Sequence, residues 1–131
     1  SFDMLGEGAR TAEDAARYLH AYEGAIEAIG RAAAGRGPVE GPGISIKLSA
    51  LHPRYVRAQR GRVMAELTPR VLHLAEMARR HDLGLNLDAE EADRLDLSLD
   101  VLEALCAAPA LRGWDGLGFV VQAYGKRAAA V

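Results

Sequence analysis

The sequence predicts an α/β fold built from consecutive parallel βα units. Four short apolar runs, typical of buried strands, occupy residues 2–5, 44–48, 85–87 and 117–121. Their starts lie 42, 41 and 32 residues apart, and helical patterns fill the gaps between them. Strands that alternate with helices at this spacing are typical of a parallel sheet with right-handed crossovers.

Length and composition indicate a folded, globular chain. Its 131 residues are 50% hydrophobic and 26% charged, which is enough apolar material for one core. A net charge of −2 with mixed signs does not indicate a nucleic-acid partner. Cys106 is the only cysteine, which excludes an internal disulfide and fits a reducing compartment. No run is long enough to span a bilayer, and the start does not resemble a signal peptide.

The first crossover is predicted to be a helix over residues 12–34. Thr11 fits its N-cap, and Asp14 three residues later completes a pattern close to a capping box. One apolar face recurs at helical spacing and is made of Ala15, Leu19, Tyr22, Ile26, Ile29 and Ala33. The segment Gly35, Gly37 and Pro38 is expected to end the helix.

The second and third crossovers are also predicted to be helical. After the second strand, His52 and Pro53 break the chain direction, and a short helical piece covers residues 60–67. Thr68 and Pro69 fit the start of a new helix, as cap and first helical residue. A further helix over residues 98–107 is expected to bury Val101, Leu102, Leu105 and Cys106.

The number of strands indicates part of a barrel. A closed (βα)₈ barrel needs about 250 residues. We therefore interpret residues 1–131 as the first half of a TIM-like (βα)₈ barrel, strands 1–4, cut at both ends. A small, complete, four-stranded open sheet is the alternative.

Lys47 is the first candidate site residue, because it lies inside an apolar run. Alternation along the strand places Ser45, Lys47 and Ser49 on one face and the apolar residues on the other. A lone buried charge is costly, so this lysine needs a carboxylate or a water-filled opening. Ionisable groups in apolar surroundings often mark functional sites. The alternative is a lysine that reaches solvent from the end of an edge strand.

Asp88 is the second candidate, because it directly follows the third strand. Ligands of α/β proteins bind beyond the carboxyl ends of the strands. Asp88 is a natural partner for Lys47, and Asp3 on the first strand extends the row across three neighbouring strands. Alternatively, Asp88 or Glu90 only caps the following helix.

Gln122 closes the fourth strand and is the third candidate. An amide both donates and accepts hydrogen bonds, which suits the edge of a heteroaromatic ring system. A structural hydrogen bond that ties down a loop is the alternative for this residue.

Metal and phosphate sites are not predicted. The acidic group Asp88, Glu90, Glu91 and Asp93 has oxygen ligands that a divalent cation would accept. Consecutive acids at a helix start usually face solvent, however, and the four histidines show no metal-ligand spacing. No glycine-rich phosphate loop is present.

Four motifs together carry a family resemblance. They are SFDMLGE at 1–7, GPGISIKLSALHPRY at 41–55, NLDAEEADR at 86–94 and GFVVQAY at 118–124. In this order and spacing they resemble the proline dehydrogenase domain of the bacterial proline utilisation A flavoenzymes. The resemblance implies a distorted (βα)₈ barrel that holds FAD over its strand ends. It also implies oxidation of L-proline to Δ1-pyrroline-5-carboxylate, with electrons passing to membrane quinone.

The resemblance also implies residue roles. Lys47 would pair with the substrate carboxylate, Asp88 would be the active-site acid that holds Lys47, and Asp3 would be a secondary member of the substrate site. Three residues would contact the flavin: Ala89 through a close backbone, Val120 by packing, and Gln122 by a hydrogen bond to the isoalloxazine ring.

Further expectations concern the parent chain. The resemblance implies the remainder of the barrel and an aldehyde dehydrogenase module in the same parent. It also implies a cytoplasmic location, with peripheral contact at the inner membrane face as an option, and leaves a homo-oligomer open. The family's later arginines beside flavin and substrate have no match here, so residues 1–131 alone are expected to be inactive.

Two rival functions stay open at this stage. The first is a Schiff-base lyase or aldolase that uses Lys47 as nucleophile and Asp88 as proton shuttle. The second is a non-catalytic half-barrel that serves only in assembly, with exposed strand edges that favour self-association.

Overall fold

The fold is a four-stranded parallel sheet covered by helices, as predicted. The computed structural model describes residues 1–4, 6–33 and 35–131. Strands β1 (Phe2–Asp3), β2 (Gly43–Ile46), β3 (Gly84–Leu87) and β4 (Leu117–Phe119) lie in the order β1-β2-β3-β4. Each neighbouring pair is parallel, and the register places Asp3, Ser45, Asn86 and Gly118 side by side.

The helices bury one face of this sheet. They are α1 (Ala12–Ala33), α3 (Arg60–Arg80) and α4 (Leu95–Ala107), with α3 in contact with both of the others. The short helix α2 (Gly37–Glu40) contacts β3 but has no buried residue. The core face of the central strands is fully buried and consists of Ile44, Ile46, Leu85 and Leu87. Alternation sends the polar side chains of these strands to the opposite face. Within the described residues, no helix has the length and apolar character to cross a membrane.

Helix α1 begins as its sequence predicts. The Asp14 backbone N–H donates to Thr11 Oγ1 at 3.0 Å, and the Thr11 N–H donates to Asp14 Oδ2 at 3.1 Å. These reciprocal bonds satisfy donors that a helix start leaves unpaired. Two predicted element ends, Leu5 of the first strand and Ala34 of the first helix, lie outside the described residues.

The predicted helix start at Thr68 and Pro69 is wrong. Helix α3 runs without interruption from Arg60 to Arg80, with Pro69 inside it. An interior proline removes one helical hydrogen bond and costs about 3 kcal/mol. The turns before it bury Val63 and Leu67 completely, and each buried side chain stabilises by about 1.5–3 kcal/mol. Burial on the N-terminal side therefore offsets the cost of the proline.

Helix α4 and strand β4 also depart from the prediction. The helix begins at Leu95, three residues before the expected Ser98, and Cys106 is exposed rather than buried. Val101 and Leu105 occupy the core face of α4, and the next residue along the helix points away from it. Strand β4 ends at Phe119 because its partner β3 ends at Leu87, the residue that Phe119 pairs with.

His52 shapes the segment after β2, as its sequence position suggests. Its side chain is fully buried, and its Nε2 lies 2.7 Å from Glu66 Oε2. Its Nδ1 accepts the Arg54 backbone N–H at 3.1 Å. These contacts fix the tautomer with a proton on Nε2 and anchor the loop to α3.

Gly118 makes room for a side chain on the polar face of the sheet. A Cβ at this position would lie 1.9 Å from Asn86 Oδ1. We therefore expect Gly118→Ala to displace Asn86 and to destabilise the full-length protein by about 1–3 kcal/mol. Thermal unfolding measures the change.

Gly24→Ala is the matched control. This glycine lies in α1, and nothing lies within 4 Å of an added Cβ. The substitution should stabilise the protein by about 0.5–1 kcal/mol, because alanine favours a helix. A Gly118→Ala protein as stable as the wild type would contradict the close packing of Asn86.

Candidate active site

Three charged side chains meet at the carboxyl end of the sheet. Lys47 and Asp88 each directly follow a strand, and Asp3 ends β1. Lys47 Nζ lies 2.9 Å from Asp3 Oδ1 and 3.2 Å from Asp88 Oδ2. The structure thus brings together the row that strand alternation predicted. Their functional roles stay predictions at this point.

The surroundings of the three groups differ. The side chains of Lys47 and Asp88 are 18% and 19% exposed, whereas that of Asp3 is 64% exposed. The pKa of Lys47 is raised well above its usual value, chiefly by the hydrogen bond to Asp3, while burial opposes this and Asp88 adds to it. Lys47 is therefore a permanent cation at neutral pH.

Tyr22 is a site residue that sequence reasoning missed. The sequence pattern predicts Tyr22 only as a member of the apolar face of α1, and Tyr22 is indeed buried in the core. Its hydroxyl oxygen, however, accepts the Lys47 backbone N–H at 3.1 Å. A tyrosine at an otherwise apolar helix position next to a charged strand end is the only signal that could have found it.

Glu90 ties together the loops that follow the first three strands. Its Oε2 accepts the Ser49 backbone N–H at 3.1 Å. Ser49 in turn accepts two N–H groups, from Gly8 on its hydroxyl and from Ala9 on its carbonyl. The expectation that this acidic group faces solvent is wrong for Glu90, whose side chain is 8% exposed. It is buried because the backbone of Ser49 needs an acceptor there.

The burial of Glu90 predicts a pH dependence of stability. Burial is the largest influence on the pKa of Glu90 and raises it, although Ser49 acts in the opposite direction. A carboxyl whose pKa is higher in the folded state stabilises most below the unfolded pKa, about 4.3 for glutamate. That stability is lost as pH rises through the folded pKa. We therefore expect Glu90→Gln, which keeps the acceptor oxygen, to gain thermal stability over wild type as pH rises from about 4 to 8.

The control for this experiment is Glu91→Gln, at an exposed neighbouring side chain. Its melting temperature relative to wild type should not follow the same trend. A Glu90→Gln protein that loses stability relative to wild type toward high pH would mean that the carboxylate itself is needed by Ser49.

A cavity of about 270 Å³ adjoins the charged row. Asp88 lies at the junction of the two, and the cavity wall includes all three residues assigned to the flavin, namely Ala89, Val120 and Gln122. Val120 presents an exposed apolar surface, and Ala89 has little bulk. The wall thus combines small and apolar groups with the Gln122 amide and with charged side chains, among them Asp88 and Arg94. In the part of the chain that the structure describes, no three His, Cys, Asp or Glu side chains are grouped to hold a metal ion.

Comparison with known proteins identifies the family. The family model described as proline dehydrogenase matches residues 1–131. The chain belongs to the proline dehydrogenase family. This confirms the resemblance that the four sequence motifs carry.

Relatives are closely similar to this chain over nearly all of its length. The bifunctional protein PutA of Salmonella typhimurium is 65% identical over 127 residues, which is 97% of this chain and 10% of PutA. The Escherichia coli K12 protein of the same name is 64% identical over the same shares. The chain thus spans about one tenth of the length of the curated relatives it matches.

A solved structure supports the fold assignment. The crystal structure of proline utilization A from Bradyrhizobium japonicum superposes with a TM-score of 0.96 at 62% identity, covering 99% of this chain and 13% of the other. This agrees with the predicted fold class, parallel βα units of a TIM-like (βα)₈ barrel. The boundaries of the predicted half-barrel domain stay a prediction.

Proposed function

We propose that this chain supplies part of the active site for FAD-dependent oxidation of L-proline to Δ1-pyrroline-5-carboxylate within a longer protein. One observation carries the proposal. The ammonium of Lys47 is held between Asp3 and Asp88, next to a cavity lined by Ala89, Val120 and Gln122. Family membership supports the same reaction.

The charged row suits a zwitterionic substrate. Lysine has three N–H donors, and the contacts with Asp3 and Asp88 use two of them. The third can meet the carboxylate of proline in a charge-assisted hydrogen bond. The flanking carboxylates then favour the secondary ammonium of the same molecule, which must pass one proton to a carboxylate or to solvent before hydride leaves the neighbouring carbon. Lys47 therefore orients the substrate ring, and Asp88 keeps Lys47 in place and attracts the amine end.

The cofactor site fits one side of a flavin ring. Ala89 lets the backbone approach the ring, Val120 offers an apolar surface, and the Gln122 amide can donate or accept at a ring edge. When bound, FAD supplies the two-electron acceptor for the hydride that leaves the substrate ring carbon beside nitrogen. The contribution of this chain is to align the substrate against that acceptor.

The raised pKa of Lys47 argues against the rival Schiff-base function. A lysine that attacks a carbonyl must lose its proton, and such lysines are found where the pKa is lowered. Two adjacent carboxylates have the opposite effect on Lys47. A purely structural role is also disfavoured, since such a role does not call for a partly buried charged row.

The proposal extends to the parent chain. We infer that electrons pass to membrane quinone from a cytoplasmic protein that lies peripherally at the inner membrane face. The relatives are named bifunctional, which supports a second activity in the same chain, and we assign this to an aldehyde dehydrogenase module. A homo-oligomer and the inactivity of residues 1–131 alone belong to the same proposal.

Anaerobic reduction tests the proposed reaction. The purified full-length protein should show a flavin absorbance spectrum that bleaches on addition of L-proline, with formation of a cyclic imine that a trapping reagent detects. A colourless protein whose Lys47 is covalently trapped by borohydride with a carbonyl compound would overturn the proposal in favour of the lyase.

A further inference from the structure

The position of the Lys47 ammonium depends on a backbone that lies beyond the end of the sheet. Ile46 is the last residue of β2 that pairs with β3, and a 3₁₀ turn over Leu48–Ala50 follows Lys47. The Lys47 carbonyl accepts the Ala50 N–H at 3.1 Å. Its own N–H donates to Tyr22 Oη at 3.1 Å. The acceptor for this N–H is therefore a side chain of α1 and not the backbone of a neighbouring strand.

Tyr22 is held rigidly enough to serve as a fixed acceptor. Its side chain is 1% exposed and packs within the core. Burial raises the pKa of Tyr22, Asp3 and Asp88 act in the same direction, and the Lys47 backbone and ammonium act in the opposite one. Burial therefore favours the neutral phenol, whose oxygen accepts the Lys47 N–H.

We propose that Tyr22 is a positioning residue for substrate binding. Its hydroxyl fixes the backbone of Lys47 and, through it, places Nζ between Asp3 and Asp88, where the substrate carboxylate binds. This inference rests on the proposed function and adds to it a residue that touches neither substrate nor cofactor.

Tyr22→Phe in the full-length enzyme is the test. Phenylalanine fills the same volume but leaves the Lys47 N–H without its acceptor, so the peptide reorients and Nζ moves. Substrate and transition state lose the same contact, which raises KM and leaves kcat nearly unchanged. We expect KM for L-proline to rise roughly 5- to 20-fold, with kcat within about twofold. The KM for pyrrolidine, the same ring without a carboxylate, should not change.

Two further variants separate positioning from stability. Ile26→Val removes a methylene one turn further along α1, at a fully buried residue. It should lower the melting temperature without raising KM. A fluorinated tyrosine at position 22 keeps the hydroxyl and the fold but weakens the oxygen as an acceptor, and it should raise KM to an intermediate value.

Unchanged KM with both substitutions at position 22 would overturn the inference, as would an equal rise in KM with Ile26→Val. The proposed function fails separately, if replacing Lys47 itself leaves proline oxidation intact or if the full-length protein binds no flavin.

Discussion

Replacing Lys47 with methionine in the full-length enzyme should lower kcat/KM for L-proline by roughly 10²- to 10³-fold. Methionine keeps much of the side-chain volume but removes the charge with which this chain is proposed to meet the substrate carboxylate. It also leaves Asp3 and Asp88 facing each other without the cation between them. Removing one partner of a buried, hydrogen-bonded charge pair at a binding site costs about 2–5 kcal/mol of binding free energy. Because both Lys47 and Asp88 keep some solvent contact, we expect the lower part of this range.

Steady-state kinetics with L-proline measures this loss. The control is Arg80→Met, which removes an exposed cation at the far end of α3 and should leave kcat/KM unchanged. Lys47→Arg should not restore activity, since a planar guanidinium does not place its donors where an ammonium does. Near-normal turnover by Lys47→Met would contradict the assignment of the substrate carboxylate to this residue.

The second large effect concerns the two carboxylates beside Lys47, which should contribute unequally to kcat/KM for L-proline. Asp88→Asn should lower kcat/KM roughly 10- to 100-fold, as expected for loss of a partly buried charged hydrogen bond. Asp3→Asn should lower it only about two- to fivefold, because an exposed ion pair contributes little. The Asp3 contact is the shorter one and affects the pKa of Lys47 most. Solvent screens the contact between Asp3 and Lys47, however. We therefore expect the more buried Asp88 to have the larger effect on kcat/KM.

Parallel assays of the two asparagine variants test this order. Both keep side-chain volume and an acceptor oxygen, so the comparison isolates the charge. Equal losses, or a larger loss for Asp3→Asn, would mean that proximity to Lys47 matters more than burial at this site.

The charged row could be predicted from the sequence because it follows from two simple periodicities. Alternation along a strand places Lys47 on the face opposite Ile46, and parallel strands end at the same edge of a sheet. Asp3, Lys47 and Asp88 therefore had to lie close together once the four strands were recognised. The capping box of Thr11 and Asp14 also depends only on residues close in sequence, and its two hydrogen bonds are present in the structure.

The features that sequence reasoning missed depend on contacts between distant segments. The hydroxyl of Tyr22 reaches a backbone group 25 residues away, and Glu90 accepts from one 41 residues away. Local patterns describe the first as a core residue and the second as part of a solvent-facing acidic run. Pro69 reads as a helix start, but the tertiary burial of Val63 and Leu67 carries the helix through it. In each case, tertiary packing outweighed the local preference.

The most direct test of the account compares two substrates in two proteins. L-proline and pyrrolidine differ only in the carboxylate that Lys47 is proposed to bind, and anaerobic flavin reduction reports the affinity for each. The account predicts that Lys47→Met weakens binding of L-proline, so that its affinity advantage over pyrrolidine shrinks, and that it does not weaken binding of pyrrolidine. If Lys47→Met instead weakens both substrates equally, or neither, Lys47 does not bind the carboxylate and the central claim is wrong.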